Sequence, residues 1–182
     1  MAMAAREGEV VVRLKGGDPF IFGRGGEEVE HLQSQGIPVQ VVNGITAGLA
    51  GLTTLGVPLT HRDHAHGVVF VTGHAKPGDA GTDWRALAAT ARQAKLTLVI
   101  YMGVSGAAHI QADLLTGLPA DTPLAVIQHA TLPQQRQAVC TLGELVHTIA
   151  REGLGSPAVI VVGDVLQGLA SLAQPHPRQA TG

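Results

Sequence analysis

The stretch Val10-Val11-Val12-Arg13-Leu14-Lys15-Gly16-Gly17-Asp18-Pro19-Phe20-Ile21-Phe22-Gly23-Arg24-Gly25-Gly26-Glu27-Glu28 carries a strand, a turn and a helix start in one run. Its first five residues are β-branched and nearly continuous, the pattern of a strand buried in a parallel sheet. Gly16 and Gly17 then let main-chain amides and carbonyls approach a ligand with no Cβ in the way. Asp18 stands where the strand stops, and Pro19 forbids further ladder pairing. From Gly26 to Gln35 the pattern predicts a helix, with Val29 and Leu32 one turn apart and Gly36 closing it. A carboxylate, an arginine and accessible main chain at one strand end are the parts of a ligand site.

Working outward, Ile37 to Val42 reads as a second strand ending at Asn43-Gly44. Ile45 to Leu52 reads as a helix of small residues able to pack closely on neighbouring backbone, and Gly56-Val57-Pro58 ends it. After the polar stretch His61 to His66 an alternating series begins again. Strands are expected at Val68 to Thr72, Leu96 to Met102, Leu124 to Gln128, Val139 to Thr141 and Ala158 to Val162. Between them lie helices from Thr82 or Asp83 to Gln93, from Ser105 to Leu115, and from Leu142 to Glu152. Alternation of this kind predicts an α/β fold with mostly parallel sheets and flanking helices. The expected organisation is a first lobe over 1–62, a second over 63–172, and a flexible tail over 173–182. With two strands, the first lobe reads as incomplete, so exposed edge and apolar surface are expected there, with dimerisation as the relief.

Composition bounds the function. The chain has 182 residues, 45% of them hydrophobic, and a net charge of −2 with histidine neutral. That is enough to bury a core, and no block of like charge suggests a nucleic-acid footprint. A single cysteine, Cys140, excludes an internal disulfide and fits a reducing cytoplasm; it reads as a small packed side chain. No apolar run reaches the length that spans a bilayer, so neither membrane insertion nor a signal segment is expected. His61, His64, His66 and His74 could suggest a metal, but without a nearby cysteine set they read as interdomain hydrogen-bonding groups or as partly protonated imidazoles facing a polyanion. No metal is expected.

Gly16 to Glu28 closely resembles the signature of the uroporphyrinogen-III C-methyltransferases, members of the tetrapyrrole methylases. Pro58-Leu59-Thr60-His61-Arg62-Asp63 and Phe70-Val71-Thr72-Gly73-His74 are similar to that family's domain-joining segment and the first strand of its second domain. The likeness runs from about residue 9 to about residue 168. It implies a two-lobed fold with S-adenosylmethionine held between the lobes, S-adenosylhomocysteine as product, and a homodimer. It also implies an N-terminal truncation, because the family's first strand, its proline-bearing glycine turn, and an aspartate and a lysine assigned to proton handling have no counterpart here.

By the same resemblance, Gly16, Gly17, Asp18, Ile21, Thr46, Ala47, Met102 and Ala130 are the cofactor positions. Ala130 departs from the family's usual glycine. The substrate implied is uroporphyrinogen III, a polycarboxylated macrocycle converted to precorrin-2 through precorrin-1 on the route to sirohaem or cobalamin. Arg24 and Arg62 fall on substrate-side positions, with Glu27 one helical turn after Arg24 to orient it. Guanidinium groups suit carboxylates and make poor bases, so these arginines are assigned to binding. Each residue also has a plainer reading: Asp18 as a turn or capping carboxylate, Met102 as core, the arginines as surface ion pairs. Two other functions remain open: an inactive fragment serving as a cofactor-binding or dimerisation module, and a methyltransferase for a later precorrin or another small molecule, against which the run Phe22 to Glu28 argues.

Overall fold

A computed structural model describes residues 1–75 and 78–168. The proposed tail at 173–182 lies outside the described residues. The chain divides into two compact units, 1–47 and from Gly48 onward.

The second unit is built on a five-stranded sheet. Its strands are β1 (Gly67–Thr72), β2 (Leu96–Tyr101), β3 (Pro123–Gln128), β4 (Arg136–Thr141) and β5 (Ala158–Val162), in spatial order β1-β2-β5-β3-β4. The α/β class is as the sequence reads, but the strand directions are not. Among the described strands only β1 and β2 pair in parallel; β2–β5, β5–β3 and β3–β4 are all antiparallel. Alternation of strands and helices specifies the elements, whereas direction depends on where each connection returns. The link 129–135 is a hairpin, which forces β3 and β4 to oppose, and β5 runs against both of its neighbours.

The two faces of this sheet are covered differently. Leu98, Ile100, Leu124, Val126, Ile160 and Val162 form a core with Trp84, Ala88 and Ala91 of α4 (Trp84–Ala94), Ala107, Ile110 and Leu114 of α5 (Ala107–Leu114), and Leu145 of α6 (Leu145–Glu152). Each fully buried aliphatic side chain contributes about 1.5–3 kcal/mol. The alternate residues Val99, Ala125, Ile127 and Val161 are also fully buried. Val99 and Ile127 face α3 (Ala47–Thr54), whose Gly48 and Gly51 lie against them. Burial on both faces is why β2, β3 and β5 read as continuous apolar runs.

Local chemistry sets the helix ends. The Asp83 carboxylate accepts the Ala86 amide at 3.0 Å and caps α4, which ends at Lys95 in the left-handed region. The helix read from Ser105 starts two residues later, with Gly106 at the cap position of α5 and no side-chain cap bond. At Thr141 a capping box with Glu144 opens a short 3-10 turn, Leu142–Glu144, ahead of α6. The Thr141 amide and the Thr141 hydroxyl, both donating to Glu144 Oε2, hold Glu144 below the ordinary glutamate range.

The first unit contains α1 (Ala2–Arg6) and α2 (Gly25–Gln33). The two strands expected there, Val10 to Leu14 and Ile37 to Val42, form no regular secondary structure and enter no ladder. Side-chain periodicity marks a segment suited to a sheet, but a strand exists only where another backbone takes its amides and carbonyls. Neither segment has a ladder partner among the described residues. Val10, Val12, Leu14 and Val42 consequently stand exposed. Between the two segments lies a cavity of about 740 Å³, floored by Val29 and Leu32 of α2.

Removing the α4 cap in Asp83→Ala is expected to lower unfolding stability by about 1 kcal/mol. Urea titration followed by fluorescence of Trp84, the single tryptophan, reads this directly. An unchanged midpoint would show that the cap bond contributes nothing.

Candidate functional site

In the first unit the turn Gly16-Gly17-Asp18 lies against the turn Asn43 to Ala47. The Asp18 carboxylate accepts the Phe20 amide at 2.8 Å through one oxygen and the Gly44 amide at 3.2 Å through the other. Gly17 has a positive φ of 87°, and a Cβ there would stand 3.3 Å from the Ile45 carbonyl and 3.7 Å from the Thr46 Cα. A Cβ on Gly44 would collide with the Gly17 carbonyl. Glycines on both sides thus allow main chain to meet main chain. Gly17, Asp18, Thr46 and Ala47 are brought together in this way, while Gly16 faces open space. Ile21 is half-buried in the bends that follow.

Arg24 caps α2 in the left-handed conformation, φ 57°. Gly23 and Gly25 flank it because any Cβ at either would run into the Pro19 carbonyl, which also accepts the Gly25 amide at 2.9 Å. The Arg24 guanidinium binds the Glu27 carboxylate through Nε at 3.0 Å and through Nη2, both side chains being solvent-exposed. That hydrogen bond raises the arginine's already high pKa, so Arg24 is a permanent cation here and cannot serve as a base. On the same helix Glu28 binds Lys15 at 3.0 Å and Arg13 at 3.3 Å, tying the segment 10–15 to α2. Lys15 is the principal cause of a Glu28 pKa below the ordinary value of 4.5.

In the second unit, Met102 follows β2 in the left-handed region, φ 55°, with 47% of its surface exposed. Its plainer reading as a core residue is therefore excluded. Ala130 follows β3 between two more left-handed residues, His129 at 51° and Thr131 at 69°. Three such non-glycine residues stand at two strand ends, each at a cost of about 1–2 kcal/mol. The Ala130 turn is held from two sides. A Cβ on Gly51 of α3 would touch the Ala130 Cβ at 3.4 Å. Gln135 accepts the Thr131 amide at 2.6 Å and donates to Thr54 Oγ1, at the end of α3, at 2.8 Å. Arg62 lies in the exposed turn closed by the His61–Ala65 bridge, and no hydrogen bond or ion pair engages it among the described residues.

Residues 1–146 match the family of Tetrapyrrole (Corrin/Porphyrin) Methylases. The chain belongs to that family. It is 51% identical over 172 residues to the uroporphyrinogen-III C-methyltransferase of Pseudomonas aeruginosa, covering 94% of this chain and 68% of that protein. It is 49% identical over 179 residues to the sirohaem synthase of Stutzerimonas stutzeri, spanning 98% of this chain and 38% of that relative. Among solved structures it resembles the uroporphyrin-III C-methyltransferase of Thermus thermophilus complexed with S-adenosylhomocysteine. That match has a TM-score of 0.74 at 38% identity over 91% of this chain and 71% of the other.

Several contributors to this methylase's candidate site escaped the sequence reading. Gly44, Tyr101 and Gln135 act through an amide, a hydroxyl and a carboxamide that touch residues distant in sequence. The glycine content of Ile45 to Leu52 signalled close packing but not its partner. Among the described residues no three His, Cys, Asp or Glu side chains gather as a metal set would.

Because its pKa is depressed in the fold, Glu28 contributes stability that is fully present above the unfolded value near 4.5 and is lost as pH falls through the lower folded value. An NMR titration is expected to place its carboxyl below that of a free glutamate, and Lys15→Ala to move it upward. A midpoint insensitive to Lys15→Ala would remove the ion pair from the account.

Proposed function

We propose that this chain acts as an S-adenosylmethionine-dependent C-methyltransferase on uroporphyrinogen III, yielding precorrin-2 through precorrin-1. The observation that carries the reading is the glycine-lined turn Gly16-Gly17-Asp18 seated on the Thr46–Ala47 turn. The names of the Pseudomonas relative and of the Thermus structure support it. The sirohaem synthase relatives favour the sirohaem branch of the pathway.

The residues present fit such a cofactor. A sulfonium donor with an adenosyl group and an amino-acid tail needs main-chain hydrogen bonds at accessible strand ends. Glycine and left-handed turns supply them at Gly16–Gly17, Met102 and Ala130. When bound, S-adenosylmethionine supplies the methyl group as an electrophile, so the protein's task is alignment and exclusion of water. Gly16, Gly17, Asp18, Ile21, Thr46 and Ala47, together with Met102 and Ala130, would hold it. The methyl of Ala130, where the family has glycine, lies on the side of the turn facing Gly51 of α3, 3.4 Å from where a Cβ on Gly51 would stand.

Arg24 and Arg62 present exposed guanidinium groups for substrate carboxylates. Glu27 keeps the Arg24 fork oriented and would yield part of its hold when a substrate carboxylate arrives. A second reading, a module that binds the cofactor without turnover, is favoured by the segments 10–14 and 37–42, which lack ladder partners among the described residues.

Isothermal titration with S-adenosylhomocysteine, paired with a methylation assay on uroporphyrinogen III, tests both readings. Binding with turnover is expected. Binding alone would favour the module, and no binding would sink the two together. Arg24→Ala and Arg62→Ala are expected to weaken substrate by about ten- to a hundred-fold while leaving cofactor affinity in place.

The cytoplasm is the proposed compartment, in keeping with one cysteine and no disulfide. A homodimer is proposed as well, since Val10, Val12, Leu14 and Val42 expose apolar surface beside unpaired backbone. Sedimentation at micromolar concentration should give twice the mass of one chain. A monodisperse monomer would refute it.

A further inference from the structure

Tyr101 ends β2 with its side chain on the face that α3 covers, 9% exposed and edge-on to Phe70 at 6.2 Å. Its hydroxyl oxygen accepts the Gly48 amide at 2.8 Å in a buried setting. Gly48 lies in the first turn of α3, where an amide has no carbonyl acceptor inside its own helix. The hydroxyl supplies that acceptor from the sheet.

The glycine and the tyrosine are matched. A Cβ on Gly48 would stand 2.7 Å from the Tyr101 oxygen and would overlap Val99 Cγ1. The helix can therefore reach hydrogen-bonding distance only with glycine at this position. Both ends of the contact are next to proposed cofactor residues: Ala47 precedes Gly48, and Met102 follows Tyr101.

We propose that Tyr101 is a positioning residue for the cofactor, fixing the first turn of α3 against the strand end from which Met102 projects. The proposal rests on the methyltransferase reading. Tyr101 itself touches no reacting atom in this account; it acts through the Gly48 amide.

Tyr101→Phe keeps the ring and removes the acceptor. In the full chain, exchange of the Gly48 and Leu49 amides is expected to accelerate tenfold or more, with Val126 and Ile160 unchanged. The dissociation constant for S-adenosylhomocysteine is expected to rise about tenfold, and that for uroporphyrinogen III to stay put. Ile110→Val, in the core on the opposite face, serves as a control that loosens packing without touching α3; it should lower the melting temperature and leave cofactor affinity alone.

Unchanged exchange at Gly48 would overturn the anchoring. Faster exchange with unchanged cofactor affinity, or an equal loss in Ile110→Val, would overturn the cofactor role. If the unsubstituted chain itself fails to bind S-adenosylhomocysteine, the methyltransferase reading falls and takes the cofactor role with it. Exchange at Gly48 then separates that failure from one in which the hydroxyl never held the helix.

Discussion

A helix can lie flat on a sheet at backbone distance only where its contacting positions carry no side chain. In this chain the helix is α3 and the positions are Gly48 and Gly51, pressed on Val99, Tyr101 and Ile127. Much else follows from that contact. It buries the second face of β2 and β3, so those strands can be apolar on both sides. It leaves the Gly48 amide near a tyrosine hydroxyl and brings Thr54 within reach of Gln135, which in turn holds the loop after β3. Two strand-end turns, those bearing Met102 and Ala130, are thereby referred to one helix.

The first unit shows the same economy with glycine on smaller elements. Gly17 and Gly44 allow two turns to interlock, and one carboxylate, Asp18, bonds an amide from each side of the contact. The carboxylate works locally as a turn-former and at longer range as a clasp. Its plain structural role and its proposed cofactor role are therefore compatible, since aligning main-chain donors is what such a ligand needs.

Much of this was legible in the sequence because it depended on local rules. Ala158–Val162 was readable to the residue as a strand, since a β-branched run between Ser-Pro and Gly-Asp leaves few alternatives. Asp83 announced a helix start through its capping chemistry. Strand direction was not legible, because β5 inserts between β2 and β3 through contacts no single segment encodes. The valines of 10–12 were misleading for a related reason: they state a preference for a sheet that the described chain does not satisfy. At the site, resemblance supplied the residues, and the structure supplied the hydroxyl, amide and carboxamide that hold them.

Arg24 sits in a backbone conformation that suits glycine, between two residues that must be glycine to clear the Pro19 carbonyl. Glycine at position 24 would relieve a strain of about 1–2 kcal/mol while deleting a cation. A library of variants sorted for thermal robustness alone should therefore enrich Arg24→Gly, and its most durable members would be the ones without the guanidinium group proposed to meet substrate carboxylates.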